Sequence, residues 1–397
     1  MAIENDTNNQ HPKRTKEFPQ ITITTNLNPV SNPMQNLPHE IIVEILSRLP
    51  VKSLLRFRCV SKSWCSLISS TQFAKTHLDV SSRNKDYANC RLIFSSVRPH
   101  FDLKSCSLHC LLYEPSVNAI EMDYPMKNPH HAVWIVGSVN GLVCIAIEED
   151  SIFLWNPSTR ESKKLPNLGI KLKYGCYIIY GFGYDEISDD YKVVGIFCVF
   201  GIGGLYETEV KVYSLRTDSW RGIGEFPGGI PLDDSGKFTN GALHWASSRD
   251  MRMDYWVLVS LDLAKETFGE VAQPKYGDGD FSLTLGVLGG CLCVLCDYRG
   301  IHANVWLMKE YGKRETWTKI ATIPYLQDPV IYTIPLCISK NDELLLELRS
   351  YLRLYNPKDD TFKYPRIRNF GTCFEANTYV ESLISFNIDD AAEGQQQ

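Results

Sequence analysis

The sequence contains no apolar run approaching the roughly 20 residues that a membrane-spanning helix requires. Its first 20 residues carry charged and polar side chains where a secretory signal peptide needs an apolar stretch. We therefore expect a soluble protein without a membrane span, located in the cytoplasm, the nucleus or both. A basic cluster of Lys13, Arg14 and Lys16 is compatible with nuclear import, although three such charges in a tail are more often simply solvated.

The sequence also lacks a disulfide framework and a metal motif. Its thirteen cysteines are odd in number and scattered through apolar segments, which is typical of thiols in a reducing compartment. Cys293 and Cys296 have zinc spacing, but no second pair follows at the distance found in zinc fingers. The segment 106–110 and the His130-His131 pair have no partner motif either, so we expect no metal and no cofactor.

Catalytic motifs are absent as well. The sequence has neither the Gly-x-Ser-x-Gly of a nucleophile elbow nor the His-Glu-x-x-His of a metalloprotease. The glycine-rich segments 181–183 and 201–204 are followed by predicted strands, whereas a phosphate cradle needs a helix N-terminus next. We interpret them as turns or bulges and predict no catalytic residue, leaving only a dispersed carboxylate pair open.

Charge is divided unevenly along the chain. The net charge is −5, yet residues 37–78 hold six basic and two acidic side chains, whereas the chain from residue 79 onward holds 32 basic and 41 acidic ones. A partner of the basic segment should therefore be acidic.

Apolar periodicity separates a short helical module from a long β domain. Residues 1–35 are polar and predicted to be a tail, residues 36–80 have helical spacing, residues 85–388 alternate short apolar runs with turns, and 389–397 form a second tail. Three short helices are expected, the third beginning with Val60 and carrying Trp64. This module is too small to bury a sufficient core of its own, so we expect contacts with a partner or with the following domain to stabilise it.

The β domain contains an internal repeat. Units that begin with a small-residue turn and an apolar strand start at residues 89, 140, 191, 240, 290 and 343, about fifty residues apart. Four-stranded units of this length bury their faces by stacking radially, so the repeat predicts a β-propeller of about six blades. The expected fold is thus α+β and multidomain, three helices followed by a propeller, with twin β-sandwiches as the alternative.

The helical module resembles the F-box, because several specific landmarks occur together. They are the Leu37-Pro38 start, the acidic Glu40, Leu49-Pro50 at the end of the first helix, and the Val60-x-Lys62-x-Trp64 close. Segments 137–142, 154–160, 181–185 and 379–383 look like the F-box-associated domain of plant F-box proteins. The regular double glycines of kelch repeats are missing, so the blade number is less well defined than the F-box.

The resemblance implies a substrate receptor of an SCF-type E3 ubiquitin ligase. In that family the F-box binds a Skp-type adaptor, which bridges to cullin and RING subunits, and the receptor itself transfers no ubiquitin. Leu37 and Pro38 are expected to insert into the adaptor. The other expected adaptor-binding or helix-packing residues are Ile42, Leu46, Leu49, Pro50, Leu54, Leu55, Val60 and Trp64. The protein target and its contact residues are unknown, with Trp134, Tyr174, Tyr177 and Phe200 as aromatic candidates.

Two functions of other classes fit these residues less well. A helix-turn-helix nucleic-acid binder is disfavoured, because the third helix uses Trp64, Leu67 and Ile68 for burial and offers few base-reading side chains. A glycan-binding protein or enzyme with a propeller fold would need no F-box and would usually be secreted. Only the F-box hypothesis requires a stoichiometric complex with a Skp-type protein.

Overall fold

The computed structural model describes residues 37–97, 100–148, 151–169, 175–200, 206–231, 235–248, 255–299, 301–324, 333–348, 351–371 and 373–386. The predicted tails 1–35 and 389–397, the basic cluster at 13–16 and the glycine-rich segment 201–204 lie outside these residues. The chain divides into two compact units, residues 1–42 and 43–397.

Four helices open the described chain. They are α1 (His39–Ser47), α2 (Val51–Phe57), α3 (Lys62–Ile68) and α4 (Thr71–Ser82). Pro50 separates α1 from α2, and the hydroxyls of Ser61 and Ser70 cap α3 and α4 by accepting backbone N–H groups. Apolar spacing did not predict α4. Val60 was wrongly placed on the third helix, since it lies in the turn before the Ser61 cap.

Within the described ranges the β domain has 27 strands, one further α-helix and a 3-10 helix (Arg314–Thr316). In chain order they are β1 (Cys90–Ser96), β2 (Asp102–Ser107), α5 (Leu108–Tyr113), β3 (Val117–Asn118), β4 (Ile120–Glu121), β5 (Val133–Val139), β6 (Leu142–Ile147), β7 (Ser151–Trp155), β8 (Ser162–Lys164), β9 (Cys176–Asp185), β10 (Asp190–Phe200), β11 (Tyr206–Ser214), β12 (Ser219–Gly224), β13 (Ile230–Pro231), β14 (Lys237–Thr239), β15 (Ala242–Ser248), β16 (Trp256–Asp262), β17 (Thr267–Glu270), β18 (Ser282–Leu288), β19 (Cys291–Asp297), β20 (His302–Met308), β21 (Trp317–Pro324), β22 (Thr333–Ile338), β23 (Leu344–Leu348), β24 (Tyr351–Asn356), β25 (Thr361–Lys363), β26 (Ile367–Arg368) and β27 (Cys373–Val380). Helix α5 corrects the expectation that the chain beyond residue 85 is all-β.

These strands form a six-bladed propeller, which confirms the predicted architecture and excludes twin sandwiches. Blade 1 has the strand order β27-β1-β2-β4. Blades 2, 3, 5 and 6 each consist of four consecutive strands, β5 to β8, β9 to β12, β18 to β21 and β22 to β25. In blade 4, β13 and β14 both pair with β15, which is followed by β16 and β17. The ring closes where the last strand, β27, pairs antiparallel with β1 from Cys90 opposite Val380 onward. Closure therefore joins the two ends of the domain.

The sequence repeat falls on the second strand of every blade, and not on the first as predicted. Its six starts lie within two residues of the beginnings of β1, β6, β10, β15, β19 and β23. The repeated small residues form the turn that precedes this strand. In these turns Asn140, Asp189, Asn240 and Asp342 have positive φ, a conformation that Asn, Asp and Gly adopt most readily.

Because neighbouring strands of a blade are antiparallel, the connections between strands lie at two opposite ends of the propeller. Turns that join first to second and third to fourth strands lie at one end, which we call the helix face because α4 contacts it. There the Lys75 ammonium lies 2.9 Å from a carboxylate oxygen of Asp189, in the turn between β9 and β10. Connections from second to third strands, and from each blade to the next, lie at the opposite end, which we call the far face.

Glycines allow the inner strands to approach their neighbours. Gly181 and Gly183 lie inside β9, so their interpretation as a turn or bulge was wrong. A Cβ atom on Gly183 would lie 2.4 Å from Leu263 Cδ1 and 2.6 Å from Phe238 Cδ2. Glycine at this position therefore allows blade 3 to pack closely against blade 4.

Candidate functional site

The first unit contributes the start of the helical module. The backbone N–H groups of Ile41 and Ile42 donate to the carbonyl of Pro38 at 3.1 and 3.2 Å, which begins α1 at the proline. The side chains of Leu37 and Ile41 are 41% and 46% exposed, and Ile42 is half-buried. Leu37, Pro38 and Ile42 were predicted from the sequence, whereas Ile41 was missed because it lies outside the apolar stripe.

The remaining predicted residues lie in the second unit and form two groups, one buried and one exposed to solvent. Leu46 and Leu54 are buried, so they stabilise the packing of the helices. The predicted residues that retain solvent exposure are Leu49, Pro50, Leu55, Val60 and Trp64. Ile45 is 50% exposed and Val60 60% exposed, which is unusual for side chains of this size.

A buried histidine holds the corner between α1 and α2. His77 on α4 is buried, and its Nε2–H donates to the Leu49 carbonyl at 2.8 Å. Burial lowers the pKa of His77, so the ring is neutral at physiological pH. The donor therefore fixes the backbone just before Pro50, and no sequence pattern indicated this role.

The helices also contain an aromatic contact and several exposed basic side chains. Phe57 and Trp64 meet edge to face with their centroids 5.6 Å apart. Arg48 pairs with Glu44 one turn earlier on α1. The further basic residues with exposed side chains are Lys52, Arg56 and Lys62. The module thus combines exposed apolar side chains with a basic rim.

The segment between α4 and β1 is tied to the propeller. Asn89 Nδ2 donates to Ser81 Oγ at 3.0 Å, and the Tyr87 hydroxyl donates to the Ile338 carbonyl at 2.7 Å. His109 on α5 bonds to the Asp86 carbonyl at 2.7 Å. Because three separate elements hold this segment, α4 is fixed to the helix face rather than joined by a free linker.

The far face exposes large apolar side chains. They are Met126, Tyr255, Ile301, Tyr351 and Tyr364. Of the aromatic candidates from the sequence, Trp134 and Tyr177 are half-buried near the starts of β5 and β9. Tyr174 and the Phe200 side chain lie outside the described residues. Sequence reasoning missed Tyr351 and Tyr364, although both flank turn-rich segments.

The cysteine and histidine positions considered from the sequence do not form a metal site or a reactive thiol site in the described residues. All thirteen cysteines are free thiols. Burial raises the pKa of Cys296 to about 12 and raises that of Cys293 as well, which disfavours the thiolate needed for nucleophilic attack. Within the described ranges no three His, Cys, Asp or Glu side chains are grouped as a metal site would require.

No helix in the described part of the chain is long and apolar enough to span a membrane.

Comparison with known proteins matches two family models to the chain. The model of the F-box associated beta propeller domain matches residues 80–387, and that of the F-box domain matches residues 34–76. The chain is 38% identical to the F-box/kelch-repeat protein At3g23880 of Arabidopsis thaliana, over 89% of this chain and 96% of the relative. It is 33% identical to the F-box protein CPR1 of the same plant, over 88% of this chain and 89% of the relative.

Proposed function

Since the chain belongs to the family of plant F-box proteins with an F-box-associated β-propeller domain, we propose that it is the target-binding subunit of an SCF-type ubiquitin ligase. In this role the helices bind a Skp-type adaptor, and through it cullin and RING subunits. The propeller binds the protein that is to be ubiquitinated. The proposal includes a cytoplasmic or nuclear location, which free cysteines favour.

The observation that carries the proposal is the exposure of apolar side chains on the F-box helices. Leu37, Ile41, Ile45 and Val60 are exposed, whereas large aliphatic side chains are usually buried. Covering them with a partner would remove apolar surface from water and stabilise a complex. The basic rim favours an acidic partner and would speed its association.

Target binding is assigned to the far face. The helix face already carries α4, through Lys75 and the segment that precedes β1. A target bound at the far face would leave the adaptor-binding helices free. Loops on a rigid scaffold commonly carry recognition. The receptor supplies no chemistry of its own in this proposal. Most of the described cysteines are buried, and burial raises the pKa of Cys293 and Cys337, which disfavours a ubiquitin thioester there.

The experiment is co-purification with a Skp-type adaptor. Changing Leu37 and Pro38 together to Ala should reduce recovery of the adaptor by about tenfold or more, since two exposed contacts are lost without disturbing buried residues. The control variant Ile120→Ala removes a similarly exposed aliphatic side chain from the propeller and should leave recovery unchanged. Equal recovery with both variants would contradict the proposed adaptor site.

A further inference from the structure

A cluster of aromatic rings around one arginine lies on blade 6 near the far face. Tyr351 and Arg353 are two positions apart on β24, so both side chains point to the same side of the blade. Phe362 lies on the neighbouring strand β25, and Tyr364 follows it. Tyr351 is 61% exposed and Tyr364 is 64% exposed. We call these four residues the blade 6 cluster.

The guanidinium of Arg353 stacks on two of these rings. Its central carbon lies 5.0 Å from the centroid of Tyr364 and 6.0 Å from that of Phe362. Stacking on an aromatic face orients the planar guanidinium and leaves its N–H edge free for an acceptor. The arginine is thereby held in position before any ligand arrives.

Arg353 has no carboxylate partner in the described part of the chain. Arg353 takes no part in the ion pairs that other described cations of blade 6 or the far face form. Lys363, for example, pairs with Glu343 at 2.7 Å. The Nε atom of Arg353 is buried without a hydrogen-bond acceptor among the described residues. An unpaired buried donor is costly, so the Arg353 guanidinium is not fully satisfied by the described residues around it.

The local charge also differs from that of the rest of the domain. From residue 79 onward acidic side chains exceed basic ones by 41 to 32. The segment 361–371, which contains Tyr364, holds three basic residues, Lys363, Arg366 and Arg368, and no acidic one. Arg366 and Arg368 are exposed. A cationic and aromatic patch on an acidic domain favours an acidic ligand over other parts of a partner's surface.

We propose that the blade 6 cluster binds an acidic segment of the target protein. An Asp or Glu carboxylate would accept hydrogen bonds from the Arg353 guanidinium, and a neighbouring apolar side chain would pack on Tyr351 and Tyr364. This inference rests on the proposed function, since it names the chemistry of the target's recognition segment.

The test measures fluorescence anisotropy with the full-length protein in complex with its adaptor. The probe is a fluorescein-labelled peptide that carries Glu residues on both sides of a Leu-Phe pair, and the comparison peptide carries Gln in place of every Glu. The Glu peptide should bind at least about fivefold more tightly, and raising the salt concentration should reduce this preference. Arg353→Gln should abolish the preference, and Tyr364→Ala should weaken binding of both peptides.

Matched controls separate this site from general effects. Tyr255→Ala removes an equally exposed tyrosine from blade 4 and should leave binding of both peptides unchanged. Arg353→Lys should restore only part of the preference, since a lysine cannot form the bidentate pair. The unfolding midpoint of each variant checks that the propeller is intact, and Tyr364→Ala keeps the test available if Arg353→Gln unfolds.

Three results would overturn the inference. They are an equal affinity for the Glu and Gln peptides, a preference that survives Arg353→Gln in a folded protein, and equally tight binding of a single-stranded RNA that depends on the same residues. Adaptor co-purification is measured on the same samples. Retained adaptor binding together with any of these results would reject the blade 6 site while leaving the proposed ligase role intact.

Discussion

Single residues set how closely the blades approach one another near the propeller axis. The inner strand β9 contains Gly181 and Gly183, and the side chains of blade 4 occupy the space where their Cβ atoms would lie. Trp245 lies 2.9 Å from the Cβ position of Gly181. Here glycine is required by close packing between blades, since neither residue has a positive φ.

Gly183→Ala should destabilise the protein by about 2 kcal/mol, because the added methyl group would overlap Leu263 and Phe238 and force them to move. The matched control is Gly222→Ala on the outer strand β12, where no atom lies within 4 Å of the Cβ position. This change should alter stability by less than about 0.5 kcal/mol. Chemical denaturation of both variants measures the difference, and equal midpoints would disprove close packing at Gly183.

A second residue links two blades and responds to pH. His244 on β15 is buried, its Nδ1–H donates to the Lys237 carbonyl at 3.0 Å, and its Nε2 accepts from the Tyr311 hydroxyl at 2.7 Å. Burial lowers the pKa of His244 to about 4. A neutral ring suits this arrangement, because a carbonyl only accepts and Nε2 must then be unprotonated.

Acidification should destabilise the propeller through His244. Its folded pKa lies below the unfolded value of about 6.5, so the unfolded chain binds the proton more tightly and stability falls as the pH decreases from 6.5 towards 4. The loss at pH 5 should be about 2 kcal/mol relative to pH 7.5. Denaturation of His244→Gln across this range should show a smaller pH dependence, whereas the exposed His130→Gln should keep that of the unchanged protein.

At the scale of elements, the propeller depends on a strand from the far end of the domain. β27 pairs with β1 over most of its length, and the segment after it reaches blade 2. There Asn156 Nδ2 donates to the carbonyls of Ser382 and Ile384 at 3.1 and 2.8 Å. The buried amide thus joins the closing segment to the neighbouring blade, while β27 covers the inner edge of β1.

Deleting residues 373–386 should open the ring. The edge of β1 would lose its partner, and apolar residues of blades 1, 2 and 6 would become exposed, so we expect aggregation during purification. Size-exclusion chromatography and 1-anilinonaphthalene-8-sulfonate fluorescence measure this outcome. Adding the peptide 373–386 to the truncated protein should partly restore its solubility, and a soluble truncation that unfolds cooperatively without the peptide would contradict closure by β27.

At the scale of the molecule, charge and exposed side chains are divided between the helices and the propeller. The helices carry the basic rim and the exposed aliphatic side chains, while the propeller carries the acidic excess and a far face with exposed tyrosines. Helix α4 belongs to the first part by sequence, yet Ser81 and Lys75 bind it to the propeller. The two parts are therefore expected to act as one receptor with distinct binding ends.

A fragment of residues 83–397 should fold, because β27 closes the ring without the helices. It should bind the target but not the adaptor, and should therefore inhibit target ubiquitination by the intact receptor in a reconstituted reaction. The starting point lies after α4, since a cut at residue 79 would fall inside that helix. Ubiquitination that persists at saturating fragment, with target binding demonstrated, would argue against this division of roles.

The sequence by itself determined the local and repeating features of this protein. Pro38 and Pro50 predicted the two ends of the first helix, the fifty-residue period predicted six blades, and the landmarks from Leu37 to Trp64 predicted the F-box, because each signal depends on neighbours along the chain. Only the tertiary structure decided that β27 completes blade 1, that His77 holds the Leu49 carbonyl, that Leu46 and Leu54 are buried while Ile41 is exposed, and that Arg353 stacks on Tyr364. Some of these facts depend on contacts between residues that are distant in sequence. The others depend on which side of a helix or strand packs against a neighbouring element. Local periodicity determines neither the distant contacts nor the packed side.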